Sequence, residues 1–200
     1  MADSGHKSVC VIACGALARE ILAILEANKL DHVELRCLSA LLHNRPEQIP
    51  DAVREAIQTA RQDGFSEILI GYADCGTGGL LDKLIENEEG VSRIGGPHCY
   101  AFFSGTEKFI EEYRDICTAF FLTDFLARQF DTIIYGPLGL EKHPELRDMY
   151  FGNYEKVVYL AQTEDAELDR KAQEAASKLG LAFERRQTGY GELTDFLLQA

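Results

Sequence analysis

The sequence predicts an α/β fold in which a mainly parallel sheet is flanked by helices. Short, continuously apolar runs, typical of strands buried on both faces, alternate with longer stretches whose apolar residues recur at helical spacing. This is the alternation of strand–helix–strand units, which form parallel sheets through right-handed crossovers. The 200 residues contain no internal repeat, low-complexity tract or linker, so we expect a single domain over residues 1–200.

The N-terminal half of the chain contains four predicted strands and the helices between them. Three strands are short apolar runs: Val9–Cys14, Val33–Leu38 and the run that begins at Glu67 and leads into Cys75; Val91–Ile94 is a shorter fourth. The predicted helices cover roughly residues 15–28, 50–63 and 80–87, and Gly64 ends the second of them.

The C-terminal half begins with an aromatic-rich stretch, because residues 105–149 have a mostly helical pattern. Two further strands, Lys156–Ala161 and Leu181–Arg186, enclose a helix over residues 165–179, and a last helix spans residues 191–199. We expect the first three strands and the strands near 157–161 and 181–186 to share one sheet. The helical segment 105–150 should cover the carboxyl edge of that sheet.

Composition and charge narrow the classes of partner. The net charge is −13 and Lys and Arg form no run, so a surface that follows nucleic-acid phosphates is not expected. No apolar run reaches the roughly 18 residues of a membrane span, and Met1–Lys7 lacks the pattern of a signal peptide. We expect a cytoplasmic protein without a nucleic-acid or membrane partner, whose six cysteines are thiols or metal ligands rather than disulfides.

Three cysteines lie where parallel sheets place their ligands. Cys14 and Cys75 each end a predicted strand and precede a glycine and a helix start, and Cys99 follows a Gly-Gly-Pro turn beside His98. The carboxyl ends of parallel strands meet at one edge, so these thiols can converge. They predict a zinc site, or alternatively a four-iron cluster, with a fourth position for His98, water or substrate. A reactive thiol without metal and simple packing are the alternatives.

Polar residues near these thiols are candidates for catalysis and ligand binding. His43 follows the second strand and is a candidate acid–base catalyst or fourth metal ligand, with a plain turn residue as the alternative. Asp74 is a second candidate catalytic residue, which could orient a histidine or a ligand. The glycine-rich turn matches neither a Walker loop nor a full dinucleotide fingerprint. It nevertheless predicts a cofactor-binding or ligand-positioning set formed by Tyr72, Gly76, Thr77 and Gly78.

Structural roles are predicted for the other cysteines and for Asp124. Cys10, Cys37 and Cys117 each lie inside an apolar run and are interpreted as packing residues. Asp124 could orient a ligand, but capping of a helix by Thr123 or Asp124 is the favoured interpretation.

Aromatic residues predict the mode of assembly. They are concentrated over residues 105–155, where they exceed what a small cover segment needs to bury. Aromatic side chains are enriched in the cores of interfaces, and two-fold dimers are the commonest oligomers. We therefore expect a homodimer with part of this segment in the contact; the alternative is that the rings pack on the sheet. The residues concerned are Phe120, Phe121, Phe125, Phe130, Tyr135, Tyr150, Phe151 and Tyr154.

Several blocks of the sequence carry a resemblance to a known family. In chain order they are Ala13–Leu17, Leu42–Pro46, Gly71–Gly79, Gly96–Tyr100, Phe121–Leu126, His143–Leu146 and Tyr150–Tyr154. Together they resemble the domain-of-unknown-function family numbered 1638, over most of the chain from residue 9 onward. The resemblance implies a bacterial or archaeal cytoplasmic protein without an established reaction. Similar members are often encoded beside corrinoid-dependent methyltransferase components, which implies one-carbon metabolism and those components as partners.

Two functions are compatible with these features. The first is an enzyme whose metal centre acts on a small molecule in one-carbon or methyl-transfer metabolism, with His43 as the acid–base group. The second is a carrier or sensor, without catalysis, of a metal, a corrinoid or a one-carbon compound that serves partner methyltransferases. The ionisable groups gathered at one edge favour the enzyme.

Overall fold

The structure is a computed structural model that describes residues 8–112 and 117–200. Met1–Lys7, the segment considered for a signal peptide, lies outside the described residues. The chain divides into two compact units, one formed by the residues up to Phe102 together with Gly191–Ala200, the other by Phe103–Tyr190. Each unit contains parallel strands flanked by helices, which confirms the α/β fold class. A single domain over residues 1–200 stays a prediction.

The first unit is built on a four-stranded parallel sheet. Its strands are β1 (Val9–Cys14), β2 (Val33–Leu38), β3 (Glu67–Gly71) and β4 (Val91–Arg93), in the spatial order β2-β1-β3-β4. β1 and β3 occupy the two central positions and are the most continuously buried of the four. Their apolar runs are therefore explained by burial on both faces of the sheet.

Helices cover this sheet and their apolar residues complete its core. They are α1 (Ala18–Ala27), α2 (Ile49–Gln62) and α3 (Leu80–Ile85), and α4 (Cys99–Ser104) begins inside the unit. Val53, Ile57 and Ala60 of α2, which recur at helical spacing, pack with Ile12 and Ile70 of the sheet. Short 3-10 turns at Gly15–Leu17, Ala40–Asn44 and Pro46–Gln48 connect the strands to the helices.

The second unit repeats the strand–helix–strand arrangement. Its strands β5 (Ala119–Thr123), β6 (Lys156–Ala161) and β7 (Ala182–Gln187) pair in parallel in that order. Its helices are α5 (Thr106–Glu111), α6 (Asp124–Phe130), α7 (Arg147–Phe151) and α8 (Ala166–Leu179), and a π-helical turn spans Asp131–Tyr135. The last helix, α9 (Glu192–Leu197), returns to the first unit and contacts α1.

Two details of the predicted topology are wrong. In the described chain the strands form two sheets rather than one, because β6 pairs with β5 and β7 and not with the N-terminal strands. The second error is β5 itself, the strand that pairs with β6. It lies within residues 105–149, which were predicted to be mostly helical. Its sequence is four apolar residues followed by a threonine, and a run of that length fits a strand or a helix equally well by periodicity. Residues 113–116 of the same segment lie outside the described residues.

A buried carboxylate joins the carboxyl ends of β5 and β6. Asp124 is 1% exposed, and its Oδ1 accepts hydrogen bonds from the Tyr159 hydroxyl (2.7 Å) and the Gln162 N–H (3.0 Å). Its Oδ2 accepts from the N–H (3.1 Å) and the hydroxyl (2.6 Å) of Thr163. The predicted cap of α6 is confirmed, since the Thr123 hydroxyl oxygen accepts the Leu126 N–H. Asp124 is therefore a cross-link within the second unit.

Aromatic rings of the predicted cover segment pack against one another within the second unit. Phe120 lies edge-on to Phe151 and Tyr154, with ring centroids 5.2 Å and 5.6 Å away, and the rings of Phe130 and Tyr135 are 6.0 Å apart. Part of the aromatic surface is thus accounted for by internal packing. That the segment covers a carboxyl edge, and that it forms a dimer contact, stay predictions. No helix in the described ranges is long and apolar enough to cross a membrane.

Candidate functional site

The first candidate thiol, Cys14, lies at the carboxyl end of the central strand β1. It pairs with Leu38 of β2 on one side. On the other side Ala13 pairs with Gly71 of β3, so the next residues along the two strands are Cys14 and Tyr72. The backbone is tightly packed here, and a Cβ added at Gly15 would lie only 2.9 Å from the Leu38 carbonyl oxygen. Any larger residue after Cys14 would therefore clash with this oxygen, which explains the glycine.

The second thiol, Cys75, lies in a strained turn tied to the loop that precedes Cys99. Its φ of 48° is in the left-handed region, which L-residues other than glycine rarely adopt and which is found preferentially at functional sites. The Asp74 and Cys75 N–H groups donate to the carbonyl oxygens of Gly96 (3.0 Å) and Pro97 (2.9 Å). These two bonds hold the turn after β3 beside the first residue of α4, which is Cys99.

The three sulfurs interact with backbone N–H groups and with one another. The Ala16 N–H lowers the pKa of Cys14, the Cys99 N–H lowers that of Cys75, and the Tyr100 N–H lowers that of Cys99. Electrostatic interactions join Cys75 to Cys14 and Cys99 to both. The three thiols therefore lie close enough to influence one another's pKa, and their meeting in one site stays a prediction.

Burial keeps these thiols protonated when no metal is bound. It is the largest influence on each of them: it raises the pKa of Cys75 to about 12, raises that of Cys14, and raises that of Cys99 well above its usual value. Within residues 8–112 and 117–200, no group of three or more His, Cys, Asp or Glu side chains is already arranged to hold a metal ion. Metal binding would require the thiols to lose their protons. The metal-ligand role of Cys14, Cys75, Cys99 and His98 stays a prediction.

Tyr72 is buried beside the thiols. It is 2% exposed, and its ring belongs to the core cluster against which Cys14 and Cys75 pack. Burial raises the pKa of Tyr72 most, and Cys14, which interacts with the hydroxyl by charge and by a side-chain hydrogen bond, raises it further. No partner meets the hydroxyl in well-aligned hydrogen-bond geometry within the described part of the chain, so the Cys14 sulfur is its polar neighbour.

The glycine-rich turn after β3 is occupied by its own aspartate. The Asp74 carboxylate accepts the Thr77 hydroxyl (2.8 Å), the Gly79 N–H (2.8 Å) and the Gly78 N–H (3.2 Å). Burial raises the pKa of Asp74, but these hydrogen bonds outweigh it and hold the pKa below its ordinary value. Donors that a phosphate cradle would offer are therefore used within the turn. The catalytic role of Asp74 and the ligand-binding role of Gly76, Thr77 and Gly78 stay predictions.

The two candidate histidines lie near each other. His43 is in the 3-10 turn Ala40–Asn44 that follows β2, and His98 directly precedes Cys99. Both residues expose much of their surface, although partial burial and, second, the proximity of His98 lower the pKa of His43. An imidazole that is neutral at physiological pH is suited to accept a proton or to bind a metal. His43 retains its predicted role as a hypothesis.

The packing interpretation holds for one of the three remaining cysteines. Cys10 is 0% exposed in the core, as predicted, whereas Cys37 and Cys117 are exposed, so packing is the wrong role for them. β2 is an edge strand with only one residue buried, which explains why an apolar run there does not imply burial. Cys37 also interacts electrostatically with Cys14. The order of the strands in the sheet, which the sequence does not specify, is the signal that was missing.

Comparison with known proteins identifies one family. No curated protein matches the chain, and no solved structure matches it. A family model described as "Protein of unknown function (DUF1638)" matches residues 37–197. The matched segment contains Cys75 and Cys99, and Cys14 precedes it. Because this match covers most of the sequence, the chain belongs to the DUF1638 family.

Proposed function

We propose that Cys14, Cys75 and Cys99 bind one metal centre, with zinc ahead of a four-iron cluster, and that the chain is an enzyme that uses it on a small molecule. The observation that supports the proposal is that thiols from three separate loops influence one another's pKa, and that a backbone N–H lowers the pKa of each of them. Packing alone requires neither this mutual influence nor the strained backbone of Cys75.

The donor set suits soft transition metals. Thiolates are preferred ligands of zinc and of iron–sulfur clusters, and N–H groups directed at sulfur stabilise the thiolate form. The thiols are free rather than paired in disulfides. Three ligands leave one position for His98, for water or for the substrate. When bound, the metal would supply a Lewis acid at this edge of the sheet.

Within this proposal the chain's own residues have separate tasks. His43 accepts or donates a proton, while Asp74 holds the turn that carries Cys75 in place through its hydrogen bonds to Thr77 and Gly79. Methyl transfer in one-carbon metabolism, with corrinoid methyltransferase components as partners, is the reaction class that the family resemblance supports. It sets which substrates should be assayed first.

A carrier or sensor is the second candidate, and one observation favours it. The carboxylate of Asp74, which was predicted to be catalytic, already accepts hydrogen bonds from the Thr77 hydroxyl and from the Gly78 and Gly79 N–H groups of its own turn. If His43 alone cannot support turnover, the same thiols would bind a metal, a corrinoid or a one-carbon compound stoichiometrically. Single-turnover binding and multiple-turnover assays on one preparation separate the two candidates.

Elemental analysis of protein purified without oxygen tests the metal centre. A colourless protein with about one zinc per chain supports the zinc site, and a brown protein with about four irons supports the cluster. Changing Cys14, Cys75 or Cys99 to serine should lower the metal content, whereas the matched control Cys117→Ser, at an exposed cysteine, should not. Wild-type protein that holds no metal under either condition would overturn the proposal.

A further inference from the structure

We propose that the second unit binds a small anionic molecule in a cleft between α6 and α8, where Arg128 holds a carboxylate or phosphate group of the ligand. The cleft has a volume of about 260 Å³. The inference goes beyond the proposed function and does not rest on it, because none of the described residues that line the cleft is a proposed metal ligand. It depends on the shape of the cleft, on the unpaired guanidinium of Arg128 and on the charges of the walls.

The cleft forms because two small side chains line the space between neighbouring helices. α6 and α8 pack against each other, and both Ala127 and Ala175 lie in the core of the unit, 3% and 1% exposed. Their methyl groups fill little of this space, whereas the residues around them are long and charged. The result is a hollow with an apolar inner wall and a polar rim. Pockets for drug-sized ligands measure about 300–1,000 Å³, so this cleft suits a smaller molecule.

The Arg128 side chain is partly buried and has no partner. Within residues 8–112 and 117–200 it makes no hydrogen bond and no ion pair. Every other partly buried arginine in these ranges has one. The pairs are Arg36 with Glu34, Arg61 with the Ser66 carbonyl, Arg93 with Asp82, Arg147 with Asp148 and Arg186 with Glu184. A guanidinium presents N–H donors in a planar fork that matches two oxygens of a carboxylate or phosphate, and at Arg128 this fork is available.

The carboxylates of the cleft do not neutralise Arg128, because each is paired with another cation. Asp131 lies three residues further along the chain, but its Oδ1 is 2.5 Å from Lys178 Nζ. Glu174, on the facing helix, pairs with Arg170. Neither carboxylate can turn to Arg128 without leaving its present partner. The charge of Arg128 is therefore uncompensated by the walls of its own cleft.

The balance of charge around the cleft favours an anion. A second cation, Lys171, lines it and has only a long contact of 3.7 Å between its Nζ and Glu167 Oε1. Among the described lining residues, three cations face two carboxylates, although the chain as a whole carries a net charge of −13. The Thr132 hydroxyl adds a neutral donor. An oxyanion would meet Arg128 and Lys171 beside an apolar wall, where charge–charge attraction is stronger than in water.

Titration of ¹⁵N-labelled full-length protein with sodium phosphate or sodium acetate, followed by nuclear magnetic resonance, tests the inference. We expect saturable shifts of the amide signals of residues 127–132 and 171–178. A stronger response to phosphate identifies a phosphate group, and a stronger response to acetate a carboxylate. Arg128→Gln should weaken binding about 5–10-fold, the effect of a charge-assisted pair in partial contact with solvent. The control Arg19→Gln removes the same charge at an exposed arginine of α1 and should leave the affinity unchanged.

Three results would overturn the inference. They are cleft signals that neither anion moves in a saturable manner, shifts that sodium chloride reproduces at equal ionic strength, and equal affinity in Arg128→Gln. If Arg128→Gln does not fold, Lys171→Gln replaces it: a loss of about 2–5-fold supports the inference, and an unchanged affinity contradicts it. Failure of the proposed function is read separately, because wild-type protein without metal overturns the metal centre and leaves the anion titration as it is.

Discussion

Replacing Asp124 by asparagine tests whether one buried carboxylate holds the carboxyl ends of β5 and β6 together. Four donors meet its two oxygens: the Tyr159 hydroxyl, the Gln162 N–H, and the N–H and hydroxyl of Thr163. Asparagine has nearly the same shape but only one acceptor oxygen. Its NH₂ group would face the Thr163 N–H, so two donors would meet in a site that is 1% exposed.

The magnitude follows from those contacts. An unsatisfied buried N–H costs about 1–3 kcal/mol, and exchanging a charged acceptor for a neutral one weakens the remaining bonds by roughly 1 kcal/mol. We therefore expect Asp124→Asn to lower the free energy of unfolding of the second unit by about 2–4 kcal/mol. Tyr159→Phe, which removes one donor and leaves the carboxylate with three, should cost less, about 1–2 kcal/mol.

The measurement must report on the second unit, because the chain divides into two. Hydrogen exchange of the β6 amides gives the local free energy of opening, and urea unfolding gives the global change. Asp131→Asn is the matched control: its carboxylate pairs with Lys178 and is 66% exposed, so a change within about 1 kcal/mol is expected. If Asp124→Asn were as stable as this control, the cross-link reasoning would be wrong.

Three further predictions concern strain, pH and assembly. In urea unfolding of metal-free protein, the free energy of unfolding of Cys75→Gly should exceed that of Cys75→Ala by about 1 kcal/mol, because only glycine adopts a φ of 48° without strain. Equal stabilities would show that the backbone at Cys75 is not strained. Lys156 and Arg186 hold the pKa of Glu184 below its ordinary 4.5, so its stabilising contribution is present above that value and is lost as the pH falls through the lower pKa of the folded protein. The difference in Tm between wild type and Glu184→Gln should therefore shrink in acid, and a constant difference would contradict this. Light scattering should give twice the 22.3 kDa chain mass, and a mass that stays at one chain on concentration would exclude the homodimer.

The position of Cys14 and Cys75 after two neighbouring parallel strands could be predicted from order along the chain alone. Cys14 and Cys75 each follow an apolar run and precede a glycine, and parallel pairing places such positions at one sheet edge. The pairing of β1 with β3 confirms the geometry that this argument needs. The glycine-rich turn shows the limit of the same reasoning. Its composition resembles a cradle for a ligand, but Asp74 supplies the acceptor from within the turn.

Local pattern by itself determined the α/β class, most element boundaries and the identity of the residues at the sheet edge, because apolar periodicity and glycine punctuation act over a few residues. Tertiary structure alone decided that β5 is a strand with its own sheet, that Cys37 is exposed, and that Tyr72 is buried in the core cluster against which Cys14 packs. These outcomes depend on which strands pair and in which register. Pairing joins segments far apart in the chain, and a short apolar run contains no information about its partner.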